Sequence, residues 1–301
     1  MEGGNVTDVV EELPPADRAS AFANAPVGVA LATPDAVVIE GNAALGTLLG
    51  RSSAELRGAS LFDLCHPDDR PSAREAYAGA RLSADRSGRP ECRLVRADGD
   101  TVPVQVTASW VDEEPGVAGA HLVMIIEDIT ERKELEAQLV YRSLHDPLTG
   151  LANRTLFRDR LLHALERGYR EQTPTCVLIV DLDGFKAIND RHGHPSGDVV
   201  LVTFAARLTS VLRASDTAAR LGGDEFGIVC ENTELPEAQV LADRLRSTMR
   251  EPLPLGDVAV SLGISVGIGS VTGGADPEEA YERVVRAADN AMYADKARRQ
   301  S

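Results

Sequence analysis

The segment RLGGDEFGIV, residues 220–229, is the feature that most restricts how this chain can fold. Two adjacent glycines supply the positive φ angles of a tight two-residue turn, and the apolar residues that follow are typical of a buried strand. We therefore expect a hairpin with Gly222-Gly223 as its turn and with Asp224 and Glu225 at its tip. Acidic residues are poor strand formers, so two of them at this position require a functional explanation.

A second pair of acids ends an apolar strand earlier in the chain. The segment VLIVDLDGFKAIND carries Asp181 and Asp183 at the end of a run typical of a fully buried strand. If this strand pairs with the hairpin, Asp181 and Asp224 converge, and with a nearby backbone carbonyl they form a hard-oxygen site that suits Mg²⁺. Lys186 and Lys296 are then candidates for balancing phosphate charge. The alternative is a solvated acidic hairpin, with Asp181 capping the turn that follows its strand.

Composition limits the class of protein. The chain has 301 residues, enough for about two domains of roughly 150 residues each. Its formal net charge of -16 comes without a basic stripe, which argues against a nucleic-acid-binding surface. No apolar run approaches the ~18 residues of a membrane span, and the chain does not begin with a signal sequence, so we expect a cytoplasmic protein. The four cysteines form no CxxC pair, which disfavours a zinc ribbon or a disulfide framework.

Strand and helix patterns divide the chain into two domains joined by a helix. In the second domain strands alternate with helices, including one long strand over VAVSLGISVGIGSV, which predicts an α/β sheet covered by helices. In the joining segment, Leu135 and Leu139 share one helical face, which fits either a solvated helix or a short parallel coiled coil between two copies. The expected parts are a flexible tail (1–17), a first domain (18–130), a connector helix (131–143) and a second domain (144–301).

Four blocks of the second domain occur in the order that one bacterial family shows. They are HDPLTGLANR, DLDGFKAINDRHGHPSGD, RLGGDEF and ADNAMYADK. On these blocks, residues 143–298 resemble the GGDEF family of bacterial diguanylate cyclases. The resemblance implies a nucleotidyl-cyclase-like sheet flanked by helices. It also implies a homodimer in which two domains, each holding one GTP with Mg²⁺ or Mn²⁺, condense the two GTP into cyclic di-GMP and two pyrophosphates.

The resemblance also implies a role for individual residues. Asp181, the backbone carbonyl of Leu182 and Asp224 would be the metal ligands. Asp224 would also help deprotonate the attacking 3′-hydroxyl, Glu225 would complete the metal and phosphate environment, and Lys186 would stabilise the transition state. The implied substrate-binding residues are Asn189, His194 and Asp198 at the guanosine, Lys296 at the β- and γ-phosphates, and Phe185. A carboxylate at Asp198 suits guanine, whose N1–H and N2–H donors adenine lacks at that edge.

Two further features concern regulation and the end of the chain. The segment RASD places Arg213 and Asp216 where the family has an RxxD inhibitory site for its product, with Arg244 as a possible second clamp; the pattern alone also fits an ion pair at a helix end. After Lys296 the family continues with Gly-Arg and a strand, whereas this chain reads KARRQS. We therefore expect the second phosphate-binding arginine to be missing or replaced by Arg298 or Arg299. The chain is then either complete or a fragment of a longer GGDEF–phosphodiesterase protein.

The first domain resembles a PAS sensory domain. The resemblance covers about residues 18 to 130 and rests on AFANAPVGVALATPDAVVIEGNAAL, on ECRLVRADGDTVPVQVTASW with its Asp98-Gly99 hairpin signal, and on VMIIEDITERKELEAQL. The Asp128-Ile129-Thr130 end would couple its sheet to the connector. The PAS ligand stays unknown, because a dimerising domain without a ligand and a small-molecule sensor both fit. The leading hypothesis is a cyclase regulated by this domain and by its product, and the alternative is an inactive receptor of GTP or cyclic di-GMP.

Overall fold

The structure is a computed structural model that describes residues 15–82, 87–111, 121–255, 258–273 and 276–300. The chain divides into two compact units between Ala137 and Gln138, each with its own hydrophobic core. Most of the predicted tail lies outside the described residues.

The N-terminal unit contains a six-stranded sheet in which every strand pair is antiparallel. Strands follow the order β2-β1-β6-β5-β3, with β4 also paired to β5. The core lies between this sheet and helices α2 to α5. The elements are α1 (Pro15–Ala23), β1 (Gly28–Ala32), β2 (Val38–Gly41), α2 (Ala43–Leu49), α3 (Ser53–Leu56), α4 (Leu61–Leu64), α5 (Arg70–Leu82), β3 (Ser87–Gly88), β4 (Glu91–Val95), β5 (Thr101–Val111) and β6 (His121–Asp128).

Local signals account for two of the connections in this unit. Asp98 and Gly99 lie in the connection between β4 and β5, where Gly99 has a φ of 93° and the Asp98 carboxylate accepts the Asp100 N–H. The hairpin predicted from these two residues is therefore present. Asn42 is buried and caps α2, because its side-chain oxygen accepts the N–H groups of Leu45 and Val29.

Asp69 fastens the segment before α5 to strand β4. Its carboxylate accepts the Arg93 backbone N–H at 2.8 Å and the Arg93 guanidinium at 2.6 and 2.9 Å. The Arg93 guanidinium holds the pKa of Asp69 at about 2, well below its ordinary value of 3.8.

We expect Asp69→Asn to destabilise the N-terminal unit by about 1–2 kcal/mol, because a charge-assisted, partly exposed pair is lost. Since the pKa is lower in the folded protein, this contribution is fully present above the unfolded value and disappears as the pH falls through about 2. Urea unfolding of the parent and the variant at neutral pH and near pH 2.5 measures it. An unchanged stability difference at the two pH values would contradict the assignment.

The predicted connector is a helix, α6 (Thr130–Leu144). The Asp128 carboxylate accepts the Thr130 N–H at 2.8 Å and so begins the helix, while Ile129 is buried beneath the sheet. No side chain of α6 is buried, and its exposed apolar residues include Leu135 and Leu139. The exposed stripe is the one that the sequence predicts, and its role in pairing two copies remains a prediction.

The C-terminal unit contains a four-stranded antiparallel sheet with the order β12-β7-β9-β8. A separate hairpin, β10-β11, completes the described strands of this unit. The elements are α7 (Arg154–Glu171), β7 (Pro174–Asp183), α8 (Phe185–His192), α9 (His194–Ser210), β8 (Thr217–Gly222), β9 (Glu225–Cys230), α10 (Leu235–Thr248), β10 (Leu253–Leu255), β11 (Val258–Val260), β12 (Gly263–Thr272) and α11 (Pro277–Gln300).

Helices cover both faces of this sheet. Helices α8, α9 and α10 pack on one face, and α7 and α11 pack on the other, so β7 is buried on both sides. Gly267 and Gly269 face the backbone of α11, where a Cβ atom would collide with the carbonyls of Ala288 and Val284. Glycines on β12 therefore allow the last helix to approach the sheet closely, which fixes the position of its C-terminal turn.

The prediction of one long strand after α10 is wrong. Residues 258–260 form β11, which pairs with β10, whereas residues 263–272 form β12, which pairs with β7. The two segments have different partners, so the chain must change direction between them. An uninterrupted apolar pattern cannot show this, because both segments are partly buried.

Candidate active site

The end of β7 and the turn between β8 and β9 meet at one edge of the C-terminal sheet. Strands β7 and β9 are antiparallel neighbours, with Asp181 opposite Glu225. The Leu182 N–H donates to the Asp224 carbonyl at 3.3 Å. The convergence of Asp181 with the hairpin acids is therefore present, and it follows from the register of these two strands.

The residues of the turn differ from the prediction. Gly222 pairs with Glu225, so Gly223 and Asp224 form the turn and Glu225 is the first residue of β9. The register shifts between Arg220 and Gly222, and this irregularity moves the turn by one residue. Both glycines still have positive φ angles, 148° and 54°. Asp224 lies at the tip as expected, whereas Glu225 is held in the strand.

Asp181 is a buried carboxylate with one basic partner. It is 6% exposed, and the Lys296 ammonium from the last helix lies 2.7 Å from its Oδ1. Burial raises the pKa of Asp181; Lys296 opposes this, while Asp224 and Asp183 add to it. The same ion pair raises the pKa of Lys296. Asp181 does not cap the next helix, because α8 begins after Gly184 without a side-chain cap.

Glu225, like Asp181, has more acidic than basic neighbours. Burial raises its pKa, and the carboxylates of Asp289, Asp181 and Asp224 contribute to the rise. Arg154 is its basic neighbour, at 3.9 Å. The edge therefore concentrates acidic groups that the described residues neutralise only in part.

A divalent cation fits this donor set. Within the ranges that the structure describes, no group of three or more His, Cys, Asp or Glu side chains has the arrangement of a metal site. Mg²⁺, however, is usually held by one or two carboxylates together with substrate phosphates and water. Asp181 and Asp224 provide two such carboxylates at this edge; burial is the main cause of the raised pKa of Asp181, and the carboxylates of Asp224 and Asp183 add to the rise.

Helices α8 and α9 carry the predicted guanosine and phosphate residues. Phe185 is buried and Lys186 is exposed in the first turn of α8, directly after β7. His194 and Asp198 are exposed in the first turns of α9, and Asn189 is half-buried on α8. Among the described residues the Asn189 Oδ1 atom is buried without a hydrogen-bond partner.

Gly197 explains how Asn189 is placed. A Cβ atom at position 197 would collide with the Asn189 Oδ1 and with the ring of Phe185. The amide of Asn189 therefore packs against bare backbone at the start of α9. The HPSGD pattern contains this glycine, but its partner could not be read from the sequence.

The RxxD residues line a second cleft of about 210 Å³, between the end of α9 and α10. The Asp216 carboxylate accepts the Arg213 backbone N–H at 2.9 Å, and Arg244 donates to the Val211 carbonyl at 2.6 Å. The Arg213 guanidinium is exposed, 3.8 Å from Glu237. The Asp216 Oδ1 atom is buried and has no hydrogen-bond partner in the described part of the chain. All three predicted residues thus share one cleft, together with Cys230.

Sequence reasoning missed two further contacts at the edge. Ser265 donates to the Asp183 carboxylate at 2.6 Å, and Asp295 accepts the Val266 N–H and an Arg246 N–H at 3.0 and 2.9 Å. Asp295 thereby fastens the turn that presents Lys296. No local pattern indicates either contact, because the partners are far apart in sequence.

Comparisons with known proteins decide the family. The model described as "Diguanylate cyclase, GGDEF domain" matches residues 143–301, and a PAS domain model matches residues 26–131. The chain belongs to the GGDEF family. Its N-terminal unit is a PAS domain, as its sequence predicts.

Relatives share the same architecture or the GGDEF domain. An uncharacterized signaling protein of Caulobacter vibrioides is 34% identical over 84% of this chain and 30% of its own length. The bifunctional diguanylate cyclase/cyclic di-GMP phosphodiesterase MucR of Pseudomonas aeruginosa is 41% identical over 52% of this chain and 22% of its own length. The chain thus spans less than a third of either relative.

Among solved structures, the coiled coil and GGDEF domain of DgcB from Caulobacter crescentus, in complex with c-di-GMP, is similar. It has a TM-score of 0.51 and 27% identity, and it covers 56% of this chain and 88% of its own. In the part of the GGDEF protein that the structure describes, no helix has the length and apolar character needed to cross a membrane.

Proposed function

We propose that this GGDEF protein is a diguanylate cyclase that condenses two GTP into cyclic di-GMP and two pyrophosphates. The observation that carries the proposal is the convergence of Asp181, Asp224 and Glu225 at one sheet edge, with Lys296 beside them. The relatives MucR and TpbB, both named diguanylate cyclases, support the reaction type. We place the activity in the cytoplasm, with Mg²⁺ or Mn²⁺ as cofactor.

The chain's own residues have distinct parts in this reaction. Asp181, the Leu182 carbonyl and Asp224 would hold the cation, which when bound withdraws charge from the entering and leaving oxygens of the phosphate. A carboxylate oxygen of Asp224 accepts the proton of the 3′-hydroxyl. Lys186, exposed on α8, stabilises the negative charge that develops on the α-phosphate.

Lys296 binds Asp181 in the free protein. In the substrate complex we propose that its ammonium turns to the β- and γ-phosphates. This exchange of partners is favourable because a triphosphate carries more negative charge than a single carboxylate and attracts the ammonium more strongly. Arg298 and Arg299, two and three residues further along the same helix, lie 3.8 and 3.4 Å from the Asp295 carboxylate and would add positive charge near Lys296.

The selectivity for guanine would come from hydrogen-bond acceptors on α8 and α9. The carboxylate of Asp198, exposed on α9, and the side-chain amide of Asn189, half-buried on α8, would accept the N1–H and N2–H donors of guanine. Adenine would leave these acceptors without partners, which costs binding energy. His194 lies between the two in sequence, at the start of α9.

Two copies are required, since each GGDEF domain supplies one half of a site for two nucleotides. We propose that α6 brings two copies together through the stripe that contains Leu135 and Leu139. We propose that the chain divides by function into the polar N-terminal residues 1–17, the PAS domain at 18–130, the connector at 131–143 and the GGDEF domain at 144–301.

A second candidate function is a receptor that binds GTP or cyclic di-GMP without turnover. The cleft that Arg213, Asp216 and Arg244 line would serve such a receptor as well as an enzyme. Pyrophosphate release separates the two functions. With Mg²⁺, the cyclase releases pyrophosphate from GTP and not from ATP, whereas a receptor binds GTP and releases none.

We propose that the cleft of Arg213, Asp216 and Arg244 binds the product and inhibits the enzyme. A guanidinium fork suits the acceptors of guanine and phosphate, and the free Oδ1 of Asp216 suits the donors of guanine. We expect Arg213→Ala to raise the cyclic di-GMP concentration for half inhibition at least about tenfold, because a charge-assisted contact is lost. The initial rate should be unchanged.

The matched control is Arg286→Ala on α11. Arg286 is exposed and lies 3.8 Å from Glu282, as Arg213 lies 3.8 Å from Glu237. Initial rates and inhibition curves of the parent, Arg213→Ala and Arg286→Ala measure the loss of product inhibition. Equal inhibition of Arg213→Ala and the parent would show that the RxxD match is accidental.

A further inference from the structure

The core of the PAS domain contains a cavity of about 80 Å³. It lies between helices α2, α4 and α5 and strands β3, β4, β5 and β6, and its lining is almost wholly apolar. Leu45, Leu49, Met124 and Ile126 form buried walls, and Ala73 and Tyr77 on α5 form a half-buried one. An apolar cavity of this order excludes water and takes up apolar molecules.

The lining restricts the chemistry of any ligand. No charged side chain of the described residues lines the cavity, so nothing there would neutralise an anion or a cation. Its volume is far below the ~300–1,000 Å³ typical of sites for drug-sized ligands and cofactors, so the cavity in this structure suits a small molecule. His66 is not among the lining residues, and its Nδ1 accepts the Asp68 N–H instead.

Two thiols belong to the cavity lining. Cys65 and Cys92 both face the cavity, and the Cys65 thiol donates to the Leu61 carbonyl at 3.4 Å. The neighbouring Cys65 thiol and burial raise the pKa of Cys92, so that it carries no charge at neutral pH.

One wall of the cavity is joined to the connector helix. Along β4, Cys92 and Leu94 face the cavity, while Glu91 faces outward. The Glu91 carboxylate lies 2.7 Å from both the Arg132 guanidinium and the Lys133 ammonium, in the first turn of α6. A displacement of β4 by an occupant would therefore move two ion pairs that anchor the helix.

We propose that this cavity binds a small neutral apolar molecule and that its occupancy is passed to helix α6 through the ion pairs of Glu91. The proposal names the ligand class and the route of regulation for the PAS domain of the proposed cyclase. Its tests do not depend on turnover, so it stands or fails separately from the enzymatic activity.

The chain provides its own reporter for binding. Trp110 is the single tryptophan, and its ring lies 5.4 Å from that of Tyr77, which lines the cavity. Titration of the full chain with benzene should give a saturable change in Trp110 fluorescence, and benzoate, a charged molecule of similar size, should give none. Equal responses to both probes would overturn the proposed ligand class.

Two substitutions on α5 test the location. Ala73→Leu fills the cavity and should weaken benzene binding at least tenfold, whereas Ala78→Leu, exposed on the same helix, should leave it unchanged. If Ala73→Leu does not fold, Ala76→Leu, which also lines the cavity, takes its place. A cavity-filling variant that titrates like the parent would overturn the site.

Hydrogen exchange tests the route to the connector. Benzene should change amide exchange in residues 130–137 at least severalfold in the parent and in Glu75→Gln, an exposed substitution on α5. In Glu91→Gln, benzene should bind with unchanged affinity and leave exchange in this segment unaltered. A response of the same size in Glu91→Gln would overturn the coupling.

Discussion

Asp224→Asn is expected to lower the rate of cyclic di-GMP formation by about a thousandfold or more. The amide keeps the shape of the side chain at the tip of the turn but removes its negative charge and its ability to accept the 3′-hydroxyl proton. Turnover of GTP with Mg²⁺, followed by chromatography, measures the effect. Because Asp224 is only half-buried and lies at the tip of a turn, the unfolding midpoint should stay within about 2 °C of the parent's.

The control for this prediction is Asp98→Asn, an acid in the turn of the β4–β5 hairpin of the PAS domain. It changes charge and local turn chemistry in the same way, without touching the sheet edge. Its rate should match that of the parent. An Asp224→Asn variant with near-normal activity would remove Asp224 from the assigned role.

Removal of residues 1–143 is expected to leave a GGDEF domain that binds GTP and is mostly monomeric. The C-terminal unit is compact and has its own hydrophobic core, so we expect it to fold without the N-terminal half. Without the PAS domain and α6, two domains must meet by diffusion, so the rate per chain should rise with protein concentration. The full chain should show no such rise in the same range. Light scattering and activity across a dilution series measure both properties.

A double substitution in the full chain separates the role of α6 from that of the PAS domain. Leu135→Asp with Leu139→Asp should reproduce the concentration dependence, because charges at an apolar contact oppose pairing. Val240→Asp on α10 is the control, since Val240 and Leu139 are both 66% exposed. A truncated domain as active as the full chain when dilute would show that the N-terminal half does not organise the catalytic dimer.

The sequence allows the acidic edge to be predicted because its signals are local. An apolar strand that ends in Asp181 and a glycine turn beside Asp224 each specify their own geometry. Pairing of the two strands then fixes the convergence of the acids. The turn lies one residue later than predicted. The irregularity between Arg220 and Gly222 depends on cross-strand pairing and cannot be recognised from the sequence alone.

Contacts between distant segments could not be predicted. Lys296 and Asp181 are separated by 115 residues, and the contact exists because Gly267 and Gly269 let α11 approach the sheet. The sequence predicts that Lys296 contacts the substrate phosphates, but it gives no indication that Lys296 pairs with Asp181. The buried acceptors of Asn189 and Asp216 likewise depend on the packing of neighbouring helices.

The PAS cavity could not be predicted from sequence patterns either. Its lining comes from six helices and strands in addition to α5, and the residues they contribute show no sign of a binding site in the sequence. Glu91, by contrast, is an ordinary exposed glutamate in the sequence. Its two partners become apparent only when β4 and α6 are placed side by side.

The central claim is that the acidic edge of the GGDEF domain joins two GTP molecules. The most direct measurement is mass spectrometry of the products formed by the purified chain from GTP, with Mg²⁺ and with EDTA. We expect one cyclic di-GMP for every two pyrophosphates released in Mg²⁺, and neither product in EDTA. Consumption of GTP without a cyclic dinucleotide, or binding of GTP with no product in Mg²⁺ or Mn²⁺, would contradict it.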